Sequence, residues 1–294
     1  MKKNILGRTG YEVSVVTFGG IICNEQTQSD SNNYVAHAID CGVNYFDSAP
    51  TYGNSEEKLG VAIEQYRKNI YLACKTNVRD AAGSKQELLN SLKALHTDYF
   101  DVYQLHVLSR FDEVDKVFAA DGAIETMMWA KREGLIRNIG FSAHNEAVAL
   151  KMMDLFDFDT VLYPLNWAMS INIGWGDKIS ARAKAENKGL VAIKTLSHRQ
   201  FRDKEEHPQF PRAWLKTIDD DKALGVAGMK YGLSLGADTL VPPGNYYHLE
   251  FMLDNIGEVL AAPLTDDEWA LLRREAALVK DEMIFQGNIG DTRF

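Results

Sequence analysis

The feature that most constrains the fold of this chain is a repeated alternation of two patterns. Eight times along its 294 residues, a short apolar run is followed by a stretch with the periodicity of a helix. The runs do not alternate with polar residues, which is typical of strands that are covered on both faces. The eight runs span Val15–Gly20, Val43–Asp47, Ile70–Lys75, Asp101–His106, Ile136–Phe141, Thr160–Pro164, Leu190–Lys194 and Thr239–Val241.

Eight strand–helix units in a chain of this length predict an α/β fold of the (β/α)8, or TIM, barrel type. A doubly wound open sheet is the alternative. No Gly-x-Gly-x-x-Gly pattern follows the first run, however, and this weakens the version of that sheet that binds dinucleotides. Because the sequence contains no linker and no low-complexity segment, we expect one barrel domain over residues 1–294.

The parts of the chain outside the eight units give three further expectations. The C-terminal region from Thr265 to Met283 predicts a last helix, with Thr265 as its N-cap and Glu268 three residues on. The irregular stretches Asn166–Gly176 and His198–Pro211 are interpreted as loops. The second of these loops is expected to lie over the active face of the barrel.

Composition excludes several classes of function. A net charge of −9 argues against nucleic acid as a partner, because an acidic surface repels a phosphate backbone. The chain lacks the apolar stretch of a membrane span and the apolar core of a secretory signal. Three cysteines without paired spacing indicate reduced thiols, so we expect a cytoplasmic protein. We expect no metal, because the His198–His207 stretch matches no standard zinc pattern.

Polar residues at the ends of the strands are the candidates for catalysis, because barrel active sites form where the strands end. The second run ends in Asp47, the third in Lys75 and the fourth in His106, and Tyr52 follows the second run in its loop. Taken singly, each could be a rim charge, a turn residue or a structural histidine. Taken together, the four residues follow three consecutive strands. They predict a carboxylate, an amine, a phenol and an imidazole that converge at the opening of the barrel where the strands end.

Four such groups would suit the reduction of a carbonyl. A phenol has an ordinary pKa of about 10, which is high for proton transfer near neutral pH. An ammonium beside Tyr52 lowers that pKa, and a carboxylate holds the ammonium of Lys75 in place. His106 can donate a hydrogen bond to the carbonyl oxygen on which charge develops.

Two stretches of this sequence resemble the aldo-keto reductase family. Residues Gly42–Glu56, which read GVNYFDSAPTYGNSE, resemble the family signature, and residues Leu6–Gly20 resemble its N-terminal hairpin and first strand. The resemblance covers nearly the whole chain and is strongest up to about His144. It implies a (β/α)8 barrel that binds NADPH or NADH at the strand ends, a small carbonyl or alcohol substrate, and a catalytic tetrad of Asp47, Tyr52, Lys75 and His106.

The same resemblance implies a set of cofactor-binding residues, although the family pattern is less well kept here. Ala143 stands where the family commonly has asparagine, Leu162 where it has glutamine, and Ile193 where it often has an aromatic residue or methionine. Pro243, Gly244 and Asn245 resemble the turn before the last barrel helix. The implied set is Gly20, Ile21, Asp47, Ser142, His144, Leu162, Ile193, Lys194, Thr195, Leu196, Pro243, Gly244, Asn245, Asp254 and Asn255.

The turn before the last barrel helix decides which dinucleotide we expect. Family members that use NADPH place arginine or lysine there, but this chain has neither between Pro242 and Asn255, and it has Glu250 and Asp254 instead. We therefore expect a slight preference for NADH. The alternative is that Arg199 or Arg202 holds a 2′-phosphate from a distance.

Two other functions remain open at this stage. One is a nucleotide-sensing regulatory subunit with the same fold and tetrad, and the other is a barrel that uses bound NAD internally for an epimerisation or elimination. The substrate is expected to depend on aromatic side chains in loops, and the sequence does not reveal the oligomeric state. The candidate aromatic residues are Trp167, Trp175, Phe201 and Trp214.

Overall fold

The computed structural model describes residues 1–203, 206–207 and 210–285. Strands and helices alternate along this part of the chain. Its strands are Lys3–Ile5 (β1), Glu12–Ser14 (β2), Phe18–Gly19 (β3), Tyr45–Asp47 (β4), Tyr71–Thr76 (β5), Phe100–Leu108 (β6), Ile136–Ala143 (β7), Thr160–Pro164 (β8), Gly189–Ile193 (β9), Ser197–Arg199 (β10), Lys216–Thr217 (β11) and Thr239–Leu240 (β12). Its α-helices are Gln28–Asp40 (α1), Ser55–Ile63 (α2), Ala81–Ala94 (α3), Phe111–Val117 (α4), Ala123–Arg132 (α5), Glu146–Leu155 (α6), Trp167–Ile173 (α7), Asp177–Ala185 (α8), Lys222–Ser234 (α9), Tyr246–Ala261 (α10) and Asp266–Leu278 (α11).

Eight of the strands form one parallel sheet in the order β12-β9-β8-β7-β6-β5-β4-β3. The sheet curls until its two ends meet, where Val16 and Leu240 form a parallel bridge. Two backbone hydrogen bonds complete the join, from Thr17 N to Leu240 O at 2.9 Å and from Leu240 N to Val15 O at 2.8 Å. The predicted (β/α)8 barrel is therefore confirmed, and the open-sheet alternative is wrong.

Successive side chains of the barrel strands point alternately to the interior and to the surrounding helices. Phe46 and Leu72 pack outward into the large core beneath the helices. Their neighbours point inward and form a second, smaller cluster that includes Tyr45, Ala73, Val102, Leu162, Val191 and Val241. Asp47 and Lys75 lie two positions beyond Tyr45 and Ala73, so they face the same interior at the mouth of the barrel.

The two ends of the described chain largely match the expectations. Strands β1 and β2 form the N-terminal hairpin that precedes the barrel. Helix α11 begins with the predicted capping box, in which Glu268 N donates to Thr265 Oγ1 at 3.2 Å and Thr265 N donates to Glu268 Oε2 at 2.8 Å. This helix ends at Leu278, a turn before the predicted Met283.

The two predicted loops need correction. The stretch Asn166–Gly176 contains helix α7, because Asn166 caps it by accepting a hydrogen bond from Met169 N and Gly174 ends it with a left-handed backbone. The stretch His198–Pro211 begins as strand β10, which pairs with β11 in a small antiparallel ribbon. Residues 204, 205, 208 and 209 of that stretch lie outside the described residues.

No helix within the described ranges is both long enough and apolar enough to cross a membrane.

Candidate active site

A cavity of about 570 Å³ opens at the C-terminal ends of the barrel strands. All four predicted catalytic residues line it, namely Asp47, Tyr52, Lys75 and His106. Asp47, Lys75 and His106 are 3%, 1% and 7% exposed. Three neighbouring strands and one loop thus bring the tetrad together as the sequence predicted.

Lys75 and Asp47 form a buried ion pair through Lys75 Nζ and Asp47 Oδ2. The same ammonium donates to the carbonyl oxygen of Ser48 at 2.9 Å. Burial alone would lower the pKa of Lys75, but the neighbouring Asp47 carboxylate raises it above its ordinary value. Lys75 is therefore charged at neutral pH, and its position is fixed from the β4 side of the mouth.

Tyr52 lies between this ion pair and His106. Its ring centroid is 5.2 Å from Lys75 Nζ and 5.8 Å from the His106 ring centroid, and the two rings meet edge to face. Burial raises the pKa of the Tyr52 phenol, and Lys75 acts in the opposite direction without overcoming it. The lowering effect of Lys75 is the one expected from the sequence, and the larger effect of burial opposes it.

His106 lies at an irregularity in strand β6. The strand register shifts between Leu105 and Leu108, and Val107 adopts a φ of 51°, which is unusual for a β-branched residue. Ser142 Oγ accepts a hydrogen bond from Val107 N at 2.7 Å, and Arg79 Nη2 donates to His106 O at 2.6 Å. These bonds hold the backbone on both sides of the His106 side chain.

The ring of His106 is neutral at neutral pH. Burial lowers its pKa well below the ordinary value, and the charge of Lys75 lowers it further. Its Nδ1 atom is buried and has no hydrogen-bond partner among the described residues. A neutral imidazole in this place can donate one hydrogen bond into the cavity.

Many of the residues that the family resemblance implies for cofactor binding also line the cavity. They are Ile21, Asp47, Ser142, His144, Leu162, Ile193, Lys194 and Pro243. Lys194 has a left-handed backbone with a φ of 70°, and its Nζ lies 5.1 Å from the Trp214 ring centroid. Burial lowers the pKa of Lys194 to about 8.

Other implied residues lie away from the cavity wall. Gly20 faces Ser48, where an added Cβ would come within 2.9 Å of the hydroxyl oxygen. Thr195 packs against helix α9, since a Cβ on Gly232 would come within 2.6 Å of its methyl group, and Leu196 is buried in the core. Both were implied as cofactor contacts, and neither lines the cavity in this structure.

The remaining implied residues belong to the turn before α10 and to that helix. Gly244 approaches the backbone of Arg212, whose carbonyl oxygen lies 2.2 Å from where a Cβ would be. Asn245 Nδ2 is buried without a hydrogen-bond partner among the described residues. Asn255 Nδ2 donates to Phe251 O within α10, and Asp254 is exposed on the same helix.

The donor groups of this region fit a dinucleotide. The start of α10 favours negative charge, and the unpaired amide of Asn245 is a donor available there. Ser142 already accepts a hydrogen bond, but its hydroxyl hydrogen remains able to donate. When a nicotinamide dinucleotide is bound, Ser142 and His144 would hold its carboxamide, and Lys194 and Asn245 would hold its phosphates.

Sequence reasoning missed three residues of the site. Arg79 lines the cavity and pairs with Glu113, and Gln104 donates to Asp47 from inside the barrel. Arg212 approaches the turn before α10 from a distant loop and donates to Asn24 O at 2.7 Å. Only Gln104 left a signal in the sequence, because it stands two positions before His106 in a strand whose alternate residues face inward.

Of the four aromatic residues expected near the substrate, Trp214 lines the cavity, with its ring centroid 6.0 Å from that of Tyr52. Trp167 and Trp175 are buried in the core, at 0% and 4% exposure. Phe201 packs against His207. Arg199 and Arg202, the expected alternative contacts for a 2′-phosphate, form ion pairs with Glu206 and Glu282.

Comparison with known proteins gives a consistent result. Residues 16–237 match the model of the aldo/keto reductase family. The chain is 33% identical over 157 residues to the uncharacterized oxidoreductase YqkF of Bacillus subtilis, covering 49% of each protein. It is 31% identical over 175 residues to the aldo-keto reductase YhdN of the same species, covering 53% of this chain and 50% of that protein. The match thus spans about half the length of these curated relatives.

Solved structures extend the similarity of fold over almost the whole chain. The aldo-keto reductase AKR11C1 of Bacillus halodurans, in its holo form, superposes with a TM-score of 0.71 at 21% identity, covering 98% of this chain and 99% of that one. An aldo-keto reductase from a deep-sea metagenome library superposes with a TM-score of 0.70 at 17% identity, covering 99% and 100%.

Proposed function

This chain belongs to the aldo/keto reductase family, and we propose that it interconverts a carbonyl and an alcohol by hydride exchange with a nicotinamide dinucleotide. The substrate class is a small aldehyde, ketone or sugar. The observation that carries the proposal is the position of the Tyr52 ring between the buried Asp47–Lys75 pair and His106 at the wall of one cavity.

In the direction of reduction, Tyr52 is the proton donor. Burial keeps the phenol protonated at neutral pH, so a proton is present when negative charge develops on the carbonyl oxygen. His106, which is neutral, donates a hydrogen bond to the same oxygen. The ammonium of Lys75 then stabilises the phenolate that remains on Tyr52, and Asp47 keeps this ammonium in place.

A nicotinamide dinucleotide, when bound, would supply the hydride. Ser142 and His144, which line the cavity, would hold its nicotinamide end, and Leu162 and Ile193 would stand where the family has polar and aromatic contacts. Trp214 lines the cavity beside Tyr52.

For the adenosine end we propose that NADH binds at least as well as NADPH. Helix α10 carries Glu250 and Asp254, while Arg199 and Arg202 are occupied by Glu206 and Glu282. A 2′-phosphate near carboxylates that lack a basic partner costs free energy, whereas a carboxylate accepts hydrogen bonds from the ribose hydroxyls of NADH.

Steady-state turnover tests the proposed activity. The purified protein is incubated with NADH or NADPH and a series of aliphatic, aromatic and sugar aldehydes, and the absorbance of the reduced nicotinamide is followed. We expect net consumption of the reduced dinucleotide together with formation of the alcohol. If the dinucleotide binds but is not consumed with any carbonyl, the chain is a sensor or uses the dinucleotide internally, and the proposal is wrong.

A further inference from the structure

Gln104 is a buried polar residue directly beneath the catalytic tetrad. It lies in β6, two residues before His106 and opposite Lys75 in the register with β5, and it is 1% exposed. Its Nε2 donates a hydrogen bond of 2.9 Å to Asp47 Oδ1. The other oxygen of that carboxylate, Oδ2, bonds Lys75. Asp47 is therefore held from two sides, by an ammonium and by an amide.

The surrounding strands are shaped to hold this amide. A Cβ at Gly140, on the neighbouring β7, would come within 3.1 Å of Gln104 Cγ and within 2.2 Å of Thr160 Oγ1. The absence of a side chain at position 140 thus leaves the space that Gln104 occupies. The Oε1 of Gln104 is buried and has no hydrogen-bond partner among the described residues, so the bond to Asp47 is the polar contact that orients the amide.

A glutamine in this place lowers the stability of the fold, and its presence therefore points to a function. A buried amide with an unmade hydrogen bond destabilises the fold relative to an apolar side chain of the same shape. The register partners of Gln104 on the two flanking strands are Lys75 of β5 and Gly140 of β7, and of these Lys75 is the one with a side chain beside it. An apolar side chain in place of Gln104 would fill the same space but would leave Asp47 Oδ1 without this donor.

We infer that Gln104 is a positioning residue for the reaction. It fixes the plane of the Asp47 carboxylate so that Oδ2 faces Lys75, and through this contact it keeps the Lys75 ammonium directed at the phenol of Tyr52. The inference rests on the proposed function, because it assigns Gln104 a role through the tetrad. It predicts effects on the protonation of Tyr52 that a role in packing alone does not produce.

Two substitutions and one control test the inference. Gln104→Met keeps the length of the side chain and removes the donor. We expect kcat to fall about tenfold, as for other groups that orient a catalytic residue, with little change in KM. In the direction of alcohol oxidation the rate rises with pH as Tyr52 loses its proton. This rise should move to higher pH, because a displaced Lys75 stabilises the phenolate less. The control Thr160→Val removes a hydroxyl from the same interior layer without touching Asp47, and it should leave the pH profile unchanged.

Gln104→Glu gives a signature that a structural role does not give. When protonated, the introduced carboxyl can donate to Asp47 as the amide does, and when ionised it repels Asp47. Activity relative to the parent should therefore recover as the pH falls. If Gln104→Met keeps kcat within twofold and the parent's pH profile, or if Gln104→Glu shows no recovery at acidic pH, the inference is overturned. The second result decides the question even if Gln104→Met does not fold.

A measurement without turnover separates this inference from the proposed function. The side-chain ammonium of Lys75 can be followed by NMR of the protein labelled at lysine nitrogen, with no dinucleotide or substrate present. Gln104→Met should shift and broaden this signal, while Thr160→Val should not. If the parent reduces no carbonyl but the signal moves as expected, the proposed function fails and the contact stands. An unmoved Lys75 signal contradicts the inference whatever the activity.

Discussion

Residue by residue, burial sets the protonation of the side chains that we propose to be catalytic. It raises the pKa of Tyr52 and lowers that of His106, so at neutral pH both groups are uncharged and each can donate a hydrogen bond. Lys75 keeps its charge only because Asp47 is beside it. Asp47 and Lys75 therefore act as one unit, and the loss of either partner leaves an uncompensated buried charge.

Tyr52→Phe tests the assignment of the proton donor. The substitution removes one hydroxyl group and leaves the ring between Lys75 and His106. Turnover should fall by at least about 100-fold, the lower limit for general acid–base catalysis, while the dinucleotide affinity stays the same. Stopped-flow kinetics and fluorescence titration measure the two quantities. Near-normal turnover on a substrate that the parent reduces would remove Tyr52 from this role.

Lys194 offers a test through pH. Its pKa of about 8 means that the ammonium loses its proton as the pH rises above that value, and a phosphate then loses its attraction to this side chain. If Lys194 holds a phosphate of the dinucleotide, the affinity should fall between about pH 7 and pH 9 in the parent but not in Lys194→Met. His144 does not titrate in this window, because burial lowers its pKa to about 3. Parallel affinity profiles for the two proteins would contradict the role.

The tetrad was predictable from the sequence because each of its strand-borne members interrupts an apolar run at the last position. The contacts of Gln104, Arg79 and Arg212 were not. Gln104 reaches a strand two places away, and Arg212 meets Asn24 from a loop 188 residues farther along the chain. Single-sequence periodicity gives the direction of a side chain but not its partner on another element.

Among the secondary-structure elements, capping and strand length explain which predictions were correct. Helix α11 was identified from Thr265 and Glu268, because both halves of a capping box are visible in the sequence. Helix α7 was missed, although Asn166 and Gly174 mark its ends, because its seven residues are too few to establish a helical period. Strands β10 and β11 are three and two residues long and could not be separated from a loop.

The joint between β9 and β12 contains an acidic residue that destabilises the fold at neutral pH. Asp238, just before β12, accepts a hydrogen bond from Leu190 N at 2.9 Å, and burial raises its pKa to about 6. The folded state thus binds a proton that the unfolded state, with a pKa of 3.8, has already released. The contribution of Asp238 to stability is therefore greatest at low pH and declines as the pH rises through about 6.

Asp238→Asn tests whether the contribution of Asp238 to stability declines as the pH rises. The variant should gain stability relative to the parent as the pH rises from about 4 to 7, by at most about 3 kcal/mol. Thermal unfolding of both proteins across this range measures the difference. Asp157→Asn is the control, because hydrogen bonds from Lys188 and Arg8 lower the pKa of Asp157 and its effect should be small and of opposite sign. A difference between Asp238→Asn and parent that does not vary with pH would show that Asp238 stays ionised in the fold.

At the scale of the whole molecule, the net charge of −9 and the proposed cofactor site affect the binding of a dinucleotide in different ways. The overall charge repels any dinucleotide at long range, whereas the choice between NADH and NADPH depends on the few groups near the ribose. The barrel itself was predictable from the eight repeated units. The preference for a dinucleotide was harder to predict, because it depends on how separate loops approach one another around Gly244.

Titration with both dinucleotides tests the cofactor preference. Quenching of tryptophan fluorescence reports binding, because Trp214 lies in the cavity wall. We expect NADH to bind at least as tightly as NADPH, and Glu250→Arg to shift the preference toward NADPH by supplying a positive charge near the 2′-phosphate. A dissociation constant more than tenfold lower for NADPH in the parent would show that a basic residue elsewhere neutralises the phosphate. Arg212, which meets Gly244, would then be the first residue to substitute.

The bridge between Val16 and Leu240 has a consequence for how the protein is made. During synthesis on the ribosome, Asp47, Tyr52, Lys75 and His106 all emerge long before Leu240 does. Until β12 has been translated, β3 and β9 each have one unpaired edge. Other chains could form backbone hydrogen bonds with these edges. The nascent chain therefore carries all four proposed catalytic groups on an open sheet, and a chaperone that shields these two edges would protect the protein in the interval before closure.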